Sequence, residues 1–331
     1  MRPGWQRVGA LTELPDVVRE LGGDPAAVAA AAGFDLAEIA ERENLIPFAA
    51  ACLLIKLSAD ATGCDHIALR IAERNDTRSL GLVGALMRNA PTLGRAMLDL
   101  CENQHRYVRG GVPYLIVREG FAWAGYAIYQ RDTPWWHYFQ EGAIAVGMNM
   151  VRELSGAEPE EVLLARRAPE DSRPYRRFFG CPVTFDASQS AIVYRSSQLD
   201  LPVPRADPQA RMALEERVRD YWAVDLPRVS DQVMRLLRPR AIFGEARLET
   251  VAQALAVHPR LLERSLQAEG TSFRALLRET QTDVAKRLLA GTDLSITEVA
   301  AALGYGDTSA FSNAFRRQTG RSPRTWRTQA D

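Results

Sequence analysis

Few residues of this 331-residue chain stand where their types and spacing could do chemistry. Cys101 and His105 lie four apart on what reads as one helix face, a spacing that suits two metal ligands. No third or fourth ligand stands near them in sequence, so no metal is expected. Cys52, Cys64, Cys101 and Cys181 are scattered without a C-x-x-C pair and read as small buried apolar residues, not as a disulfide framework. The densest aromatic run is Trp135-Trp-His-Tyr-Phe139. Within it Trp135, Trp136, His137 and Tyr138 could wall a pocket for an apolar or amphipathic small molecule, with His137 as its polar handle, or could lie in the core. The pairs Arg166-Arg167 and Arg176-Arg177 could hold an acidic ligand or be solvated faces. There is no G-x-S-x-G, no H-E-x-x-H and no phosphate-loop pattern, so no catalytic residue, no cofactor and no enzymatic activity are expected.

A more defined geometry comes from residues 295–320. They read as two short helices joined at Gly304-Tyr-Gly306, with Gly320 stopping the second, which is the sequence form of a helix-turn-helix. Ser295 and Glu298 make an S-x-x-E capping box, and Asp307 is a good N-cap for a helix from Thr308. The unit is repeated. Leu248-Glu-Thr-Val-Ala-Gln-Ala-Leu255 recurs 48 residues later as Ile296-Thr-Glu-Val-Ala-Ala-Ala-Leu303, and each copy is followed by a helix with an apolar i, i+4 pair: Leu262 and Leu266, then Phe311 and Phe315. Each of those helices stops at a glycine, Gly270 or Gly320, as a left-handed C-cap requires. Between the copies, residues 273–290 form an apolar-striped helix of about 27 Å. That is comparable to the roughly 34 Å between successive major grooves on one face of DNA. One rigid polypeptide can therefore place two reading helices in adjacent grooves.

The elements upstream have a different texture. Hydrophobic residues at 47% and charged residues at 25% are the values of a soluble globular protein. With no run of about 18 apolar residues and no apolar stretch behind Met1-Arg-Pro-Gly, the chain is expected in the cytoplasm. Residues 228–331 carry 16 Lys+Arg against 11 Asp+Glu, net +5, which leaves 25 against 30, net −5, for residues 1–227. Only the C-terminal third is charged as a phosphate-binding surface should be. Residues 10–106 read as mostly helical, residues 112–117 and 121–129 as a hairpin about Arg118-Glu-Gly120, and residues from Pro134 as a long helix. Short strands follow at 161–165, 183–185 and 191–194, giving an α+β domain over 1–206. Amphipathic helices at 209–224 and 229–237, with Arg238-Pro-Arg-Ala-Ile-Phe-Gly244 as a linker, make 207–244 a helical linker or dimerisation segment before an all-α domain at 245–331.

Residues 245–327 resemble the DNA-binding domain of the AraC/XylS family of bacterial transcription regulators. Gly270-Thr-Ser-Phe273, residues 285–289, 296–306 and 309–315, and Gly320-Arg-Ser-Pro-Arg-Thr-Trp-Arg327 carry the likeness. Gly81-Leu-Val-Gly84, Pro91-Thr-Leu-Gly94, Phe178-Phe-Gly-Cys-Pro-Val-Thr-Phe185 and Leu199-Asp-Leu-Pro202 resemble the arabinose-binding-type effector domain of one subgroup. The resemblance implies that Thr308, Ser309, Ser312 and Asn313 face base edges, with Arg260, Glu263 and Arg264 on the equivalent face of the first unit. Asn313 would favour adenine. Arg316, Arg317, Arg321, Arg324 and Arg327 would meet phosphates, which orient the protein but do not specify sequence, and His258, before Pro259 at the start of the first reading helix, reads as a cap or a phosphate contact. The expected function is a DNA-binding transcription regulator, in the first instance an activator. Its partners would be double-stranded promoter DNA, a small-molecule effector, RNA polymerase and a second copy of the chain. A regulator whose N-terminal domain makes only protein contacts, and a DNA-tethered enzyme, stand as alternatives.

Overall fold

The computed structural model describes residues 4–104, 108–128, 133–225, 228–243 and 246–328. Its N-terminal domain contains helices and two sheets. Strand β1 (Trp5–Arg7) lies between β2 (Leu45–Pro47) and β3 (Val108–Arg109) in a three-stranded antiparallel sheet. The reading of residues 10–106 as mostly helical missed this sheet, because three-residue strands are too short for alternation to register. The helices of this region are α1 (Leu14–Glu20), α2 (Pro25–Ala31), α3 (Leu36–Ala40), α4 (Phe48–Thr62), α5 (Ile67–Ala72), α6 (Gly81–Arg88) and α7 (Leu93–Asn103). Local chemistry sets several of their ends. Asp24 caps α2, Asp35 and Glu38 box the start of α3, Thr92 caps α7, and Gly63 at φ 65° ends α4.

The second sheet has the order β4-β5-β8-β6-β7, with β4 (Gly111–Arg118), β5 (Phe121–Ile128), β6 (Glu161–Leu163), β7 (Val183–Thr184) and β8 (Ala191–Arg195). Only β6 and β7 run parallel. The expected hairpin is present. Glu119 and Gly120 take φ of 49° and 79°, the two positive values of a tight two-residue turn. One face of the sheet, with Leu115, Ala122, Tyr126 and Ile128, packs on Ile144, Ala145, Met148 and Val151 of α8 (Trp136–Leu154). Helix α9 (Arg173–Phe179), absent from the sequence reading, buries Tyr175 and Phe179 in the same core.

The other face of the hairpin is covered by the C-terminal domain. Its helices are α12 (Leu248–Ala254), α13 (Pro259–Ala268), α14 (Phe273–Gly291), α15 (Ile296–Ala302), α16 (Thr308–Thr319) and α17 (Pro323–Arg327). Tyr114, Ile116 and Ala127 join Val284, Ala285, Leu288 and Leu289 of α14, and Val299 and Phe311 of the second helix-turn-helix, in one buried cluster. Burial on both faces explains why the two strands read as continuous apolar runs and do not alternate. Arg118 reaches Glu298 at 3.2 Å across the same junction, and the Asp293 amide donates to the Ser188 carbonyl at 2.6 Å.

Helices α10 (Pro208–Asp225) and α11 (Val229–Phe243) join the two domains. The linker expected at 238–244 is therefore helical as far as Phe243, while Gly244 lies outside the described residues. Packing outweighs the amide that Pro239 lacks. Leu236 and Leu237 are buried with Val251, Leu262 and Leu266 of the first helix-turn-helix, and Arg240, 2% exposed, pairs with Glu102. On α7, Asp99 takes Arg95 and Arg211, the latter at 3.0 Å, and Glu102 takes Arg95 at 3.1 Å as well as Arg240. Asn103 accepts from Trp222 Nε1 at 2.7 Å and from Arg235 at 3.2 Å. Two buried carboxylates and one amide thus hold both connecting helices to the N-terminal domain. Removing one member of such a network strands its partners. Asp99→Asn is expected to cost about 3 kcal/mol of unfolding free energy by urea titration, and a loss below about 1 kcal/mol would show that the pairs carry no more than surface ones.

Candidate functional site

The second helix-turn-helix is built as its sequence implies. Ser295 and Glu298 form the capping box of α15, and Asp307 Oδ1 accepts from the Ala310 amide at 2.7 Å to start α16. Phe311 and Phe315 point inward, with Phe311 5.4 Å from Tyr305 and Phe315 5.9 Å from Trp326, ring centre to centre. Gly320 closes α16 at φ 74°. The opposite side of α16 carries exposed Ser309 and Asn313 with half-buried Thr308 and Ser312. Thr308 donates to the Thr297 hydroxyl at 3.2 Å, and Arg316 to Asn313 Oδ1 at 3.4 Å.

In the first unit His258 Nδ1 accepts from the Arg260 amide at 3.2 Å, so this side chain caps α13. Leu262 and Leu266 are buried, and Arg260, Glu263 and Arg264 are exposed. Leu261 stands beside them, 44% exposed. Sequence reasoning passed over Leu261, although of two adjacent leucines only Leu262 fits the stripe through Leu266. An exposed apolar side chain on such a face can meet a thymine methyl.

Arg316 and Arg317 in the last turn of α16, Arg321 just after it and Arg324 on α17 are exposed. Arg327 differs from the expectation of a phosphate contact. It is half-buried and donates to the carbonyls of Leu289, at 3.4 Å, and Leu294, tying α17 to the end of α14. One carbonyl of the last turn of α14, Leu289, and one in the loop beyond it, Leu294, have captured it.

The N-terminal domain holds a partly open cavity of about 200 Å³ between α7, α8, the β4–β5 hairpin and residues 6–11. Met87, Met97, Leu100, Ala143, Met150 and Leu154 are among its walls, and Gln104 lies at one edge. Trp135, Trp136, His137 and Tyr138 do not border it, contrary to the expectation that they wall a pocket; Phe139 does. The reason is position. The run opens α8, and its first residues turn toward α4 and α5. Trp135 is 42% exposed with Lys56 Nζ 4.8 Å over its ring, and Tyr138 donates to Asp65 at 3.2 Å. Burial, helped by the nearby Arg166 charge, holds the His137 pKa below its ordinary value, so its imidazole is neutral at pH 7.

Arg166 is equally committed. It pairs with Glu141 at 2.5 Å and Asp65 at 2.8 Å, while Arg167, Arg176 and Arg177 are solvated. Among the described residues no group of three or more His, Cys, Asp or Glu side chains could hold a metal ion, and His105 lies outside them. No helix among them is long and apolar enough to cross a membrane.

A family model described as the arabinose-binding domain of AraC transcription regulators matches residues 22–203, and a helix-turn-helix domain model matches residues 251–329. The chain belongs to the AraC family of transcription regulators. This AraC-family regulator is 27% identical to the HTH-type transcriptional regulator VirS of Mycobacterium tuberculosis, over 94% of this chain and 93% of that protein. It is 31% identical to the transcriptional activator NphR of a Rhodococcus species over 42% of this chain and 39% of that one. The crystal structure of the regulator CdpR from Pseudomonas aeruginosa aligns with a TM-score of 0.44 at 24% identity, covering 79% of this chain and 86% of that chain.

The different surroundings of Arg316 and Arg327 separate two kinds of arginine in this regulator. Arg316→Ala is expected to lower the slope of log affinity against log salt for duplex DNA by about 1. Arg327→Ala is expected to leave that slope alone and to lower unfolding stability by about 1–3 kcal/mol. The reverse pattern in salt titrations and melts would reassign both.

Proposed function

We propose that this regulator is a sequence-specific activator that reads promoter DNA with α13 and α16 and responds to a small molecule held in the N-terminal cavity. The observation that carries the reading is the pair of capped helices with apolar inner faces and exposed polar outer faces, one on each side of α14. Thr308, Ser309, Ser312 and Asn313 on α16 meet base edges, and Arg260, Leu261, Glu263 and Arg264 do so on α13. Arg316, Arg317, Arg321 and Arg324 meet phosphates, where they set orientation. His258 acts first as a cap and Arg327 as a structural tie. RNA polymerase is the partner an activator at a promoter engages.

The effector site moves from the Trp135–Tyr138 run to the cavity behind α7. Its walls are apolar, so a sugar bound there would leave hydroxyl groups unpaired at a cost of about 1–3 kcal/mol each. Residues 207–244 serve as a coupling element in this reading. Several apolar side chains of α10 and α11 are used within the chain, Val218 and Trp222 on Leu86, and Val233, Leu236 and Leu237 on the first helix-turn-helix, while Met212 and Tyr221 of α10 stay exposed.

Asn313 gives the direct test of base reading. Its amide can pair with adenine through both donor and acceptor once Arg316 turns to a phosphate. Selection from a random duplex pool is expected to show Asn313→Ala altering preference at one or two base pairs, by about 1–3 kcal/mol, with nonspecific affinity unchanged. Uniform weakening across all sequences would contradict it.

A further inference from the structure

A second, smaller cavity of about 40 Å³ adjoins the large one. Both are bordered by Cys101, Gln104, Val108, Pro113 and Tyr114. The smaller one is completed by Arg235 and Arg238 from α11 and by Asp283 and Arg287 from α14. It is thus assembled from the effector domain, the connecting helices and the DNA-binding domain together. A single water needs about 10–15 Å³ by this kind of measure, so the space suits a head group of about three non-hydrogen atoms.

Two of its polar groups have unmet hydrogen-bonding capacity. Arg235 is 4% exposed, and its Nε is buried without an acceptor. Its guanidinium donates to Asn103 Oδ1 at 3.2 Å and lies 4.9 Å over the Trp222 ring. The two carboxylates nearby are committed elsewhere, Asp99 to Arg95 and Arg211, and Glu102 to Arg95 and Arg240. Burial, against the pull of Glu102, brings the Arg235 pKa down to about 10, which still leaves it a cation at pH 7. Gln104 Oε1 is likewise buried without a partner, and a half-turn of the amide would offer its NH₂ at the same place. Asp283, the one carboxylate in the lining, is partly exposed and lies 3.6 Å from Lys286.

We propose that the effector is an apolar carboxylic acid whose hydrocarbon body fills the N-terminal cavity and whose carboxylate is held by Arg235 and Gln104 in the adjoining junction cavity. The proposal rests on the reading of the large cavity as the effector site. Size sets the body. An apolar cavity of about 150 Å³ takes a benzene ring, so 200 Å³ takes roughly eight non-hydrogen atoms. Charge sets the head, since a desolvated guanidinium gains most from a carboxylate that accepts two of its N–H groups. Because the head site borrows residues from both domains, a bound acid favours the docked arrangement over any in which α14 leaves the hairpin. DNA and effector are coupled through that choice.

Octanoate and 1-octanol, equal in chain length and different in head, test this on the full-length chain. Calorimetric titration of the wild type at pH 7.5 is expected to give octanoate a Kd at least roughly tenfold below that of 1-octanol. Arg235→Gln is expected to bring the two together and Arg235→Lys to keep part of the preference, each variant first being checked for a cooperative melt. Ala143→Phe, which fills the large cavity, is expected to abolish binding of both probes. Equal affinities in the wild type, or a preference for octanoate that survives in Arg235→Gln, overturn the head-group assignment and leave the cavity reading intact. Binding that Ala143→Phe does not touch overturns the cavity reading, and absence of binding by either probe overturns both.

Discussion

Helix α14 packs at once against the hairpin, against α11 with the first helix-turn-helix, and against the second helix-turn-helix. Its Val284, Ala285, Leu288 and Leu289 lie against the outer face of the hairpin, Leu276 packs in the core of the first helix-turn-helix with α11, and its last residue touches a strand. A Cβ on Gly291 would sit 2.8 Å from the Ile128 carbonyl oxygen, closer than real Cβ atoms come, so only glycine lets the helix end this close to β5. Each helix-turn-helix therefore has its own dock, the first on α11 and the second on the sheet, and α14 sets the distance between them. Nineteen residues of helix make this spacer about 28 Å long.

The connection back to the effector domain also has a buried electrostatic part. Asp99 and Glu102 are buried on α7, the helix that also walls the N-terminal cavity with Met97, Leu100 and Gln104. Arg95, Arg211 and Arg240 converge on them from three helices, and Arg235 stands near without a carboxylate of its own. Apolar contacts would let α10 and α11 slide, whereas charged hydrogen bonds between desolvated groups have narrow geometry. In the proposed reading, a change in how α7 packs on a ligand would reach α11 through these pairs, and α11 packs on the first helix-turn-helix. The same contacts join the cavity wall to the helix that docks the first helix-turn-helix, a physical link of the kind that coupling between two sites requires.

The features legible in the sequence were those set by neighbours in the chain. Ser295 with Glu298, Asp307, Gly270 and Gly320 announced their caps, and the recurring Val-Ala and Leu positions announced the repeat, because capping and helical periodicity act within a few residues. The hairpin showed itself through Glu119-Gly120. Features that depend on distant partners were not legible. Strands of two or three residues at 5–7, 45–47 and 108–109 gain their pairing only in the fold. The end of α11 is fixed by Glu102, more than a hundred residues upstream of Arg240. Arg327 looked like its exposed neighbours until the carbonyls of Leu289 and Leu294 were in place. The Trp135–Tyr138 run drew notice by composition, but the cavity is lined by ordinary Met, Leu and Ala whose convergence only the packing of α7 on α8 reveals.

In the proposed reading, α13 and α16 are held at one spacing by α14 and its two docks. Affinity for duplexes in which the two half-sites are moved apart by about five or about ten base pairs tests it most directly. The account predicts that both insertions lose at least roughly tenfold in affinity, the second even though it restores the helical face, because the spacer cannot lengthen. Equal affinity for the original and the ten-base-pair duplex would contradict it.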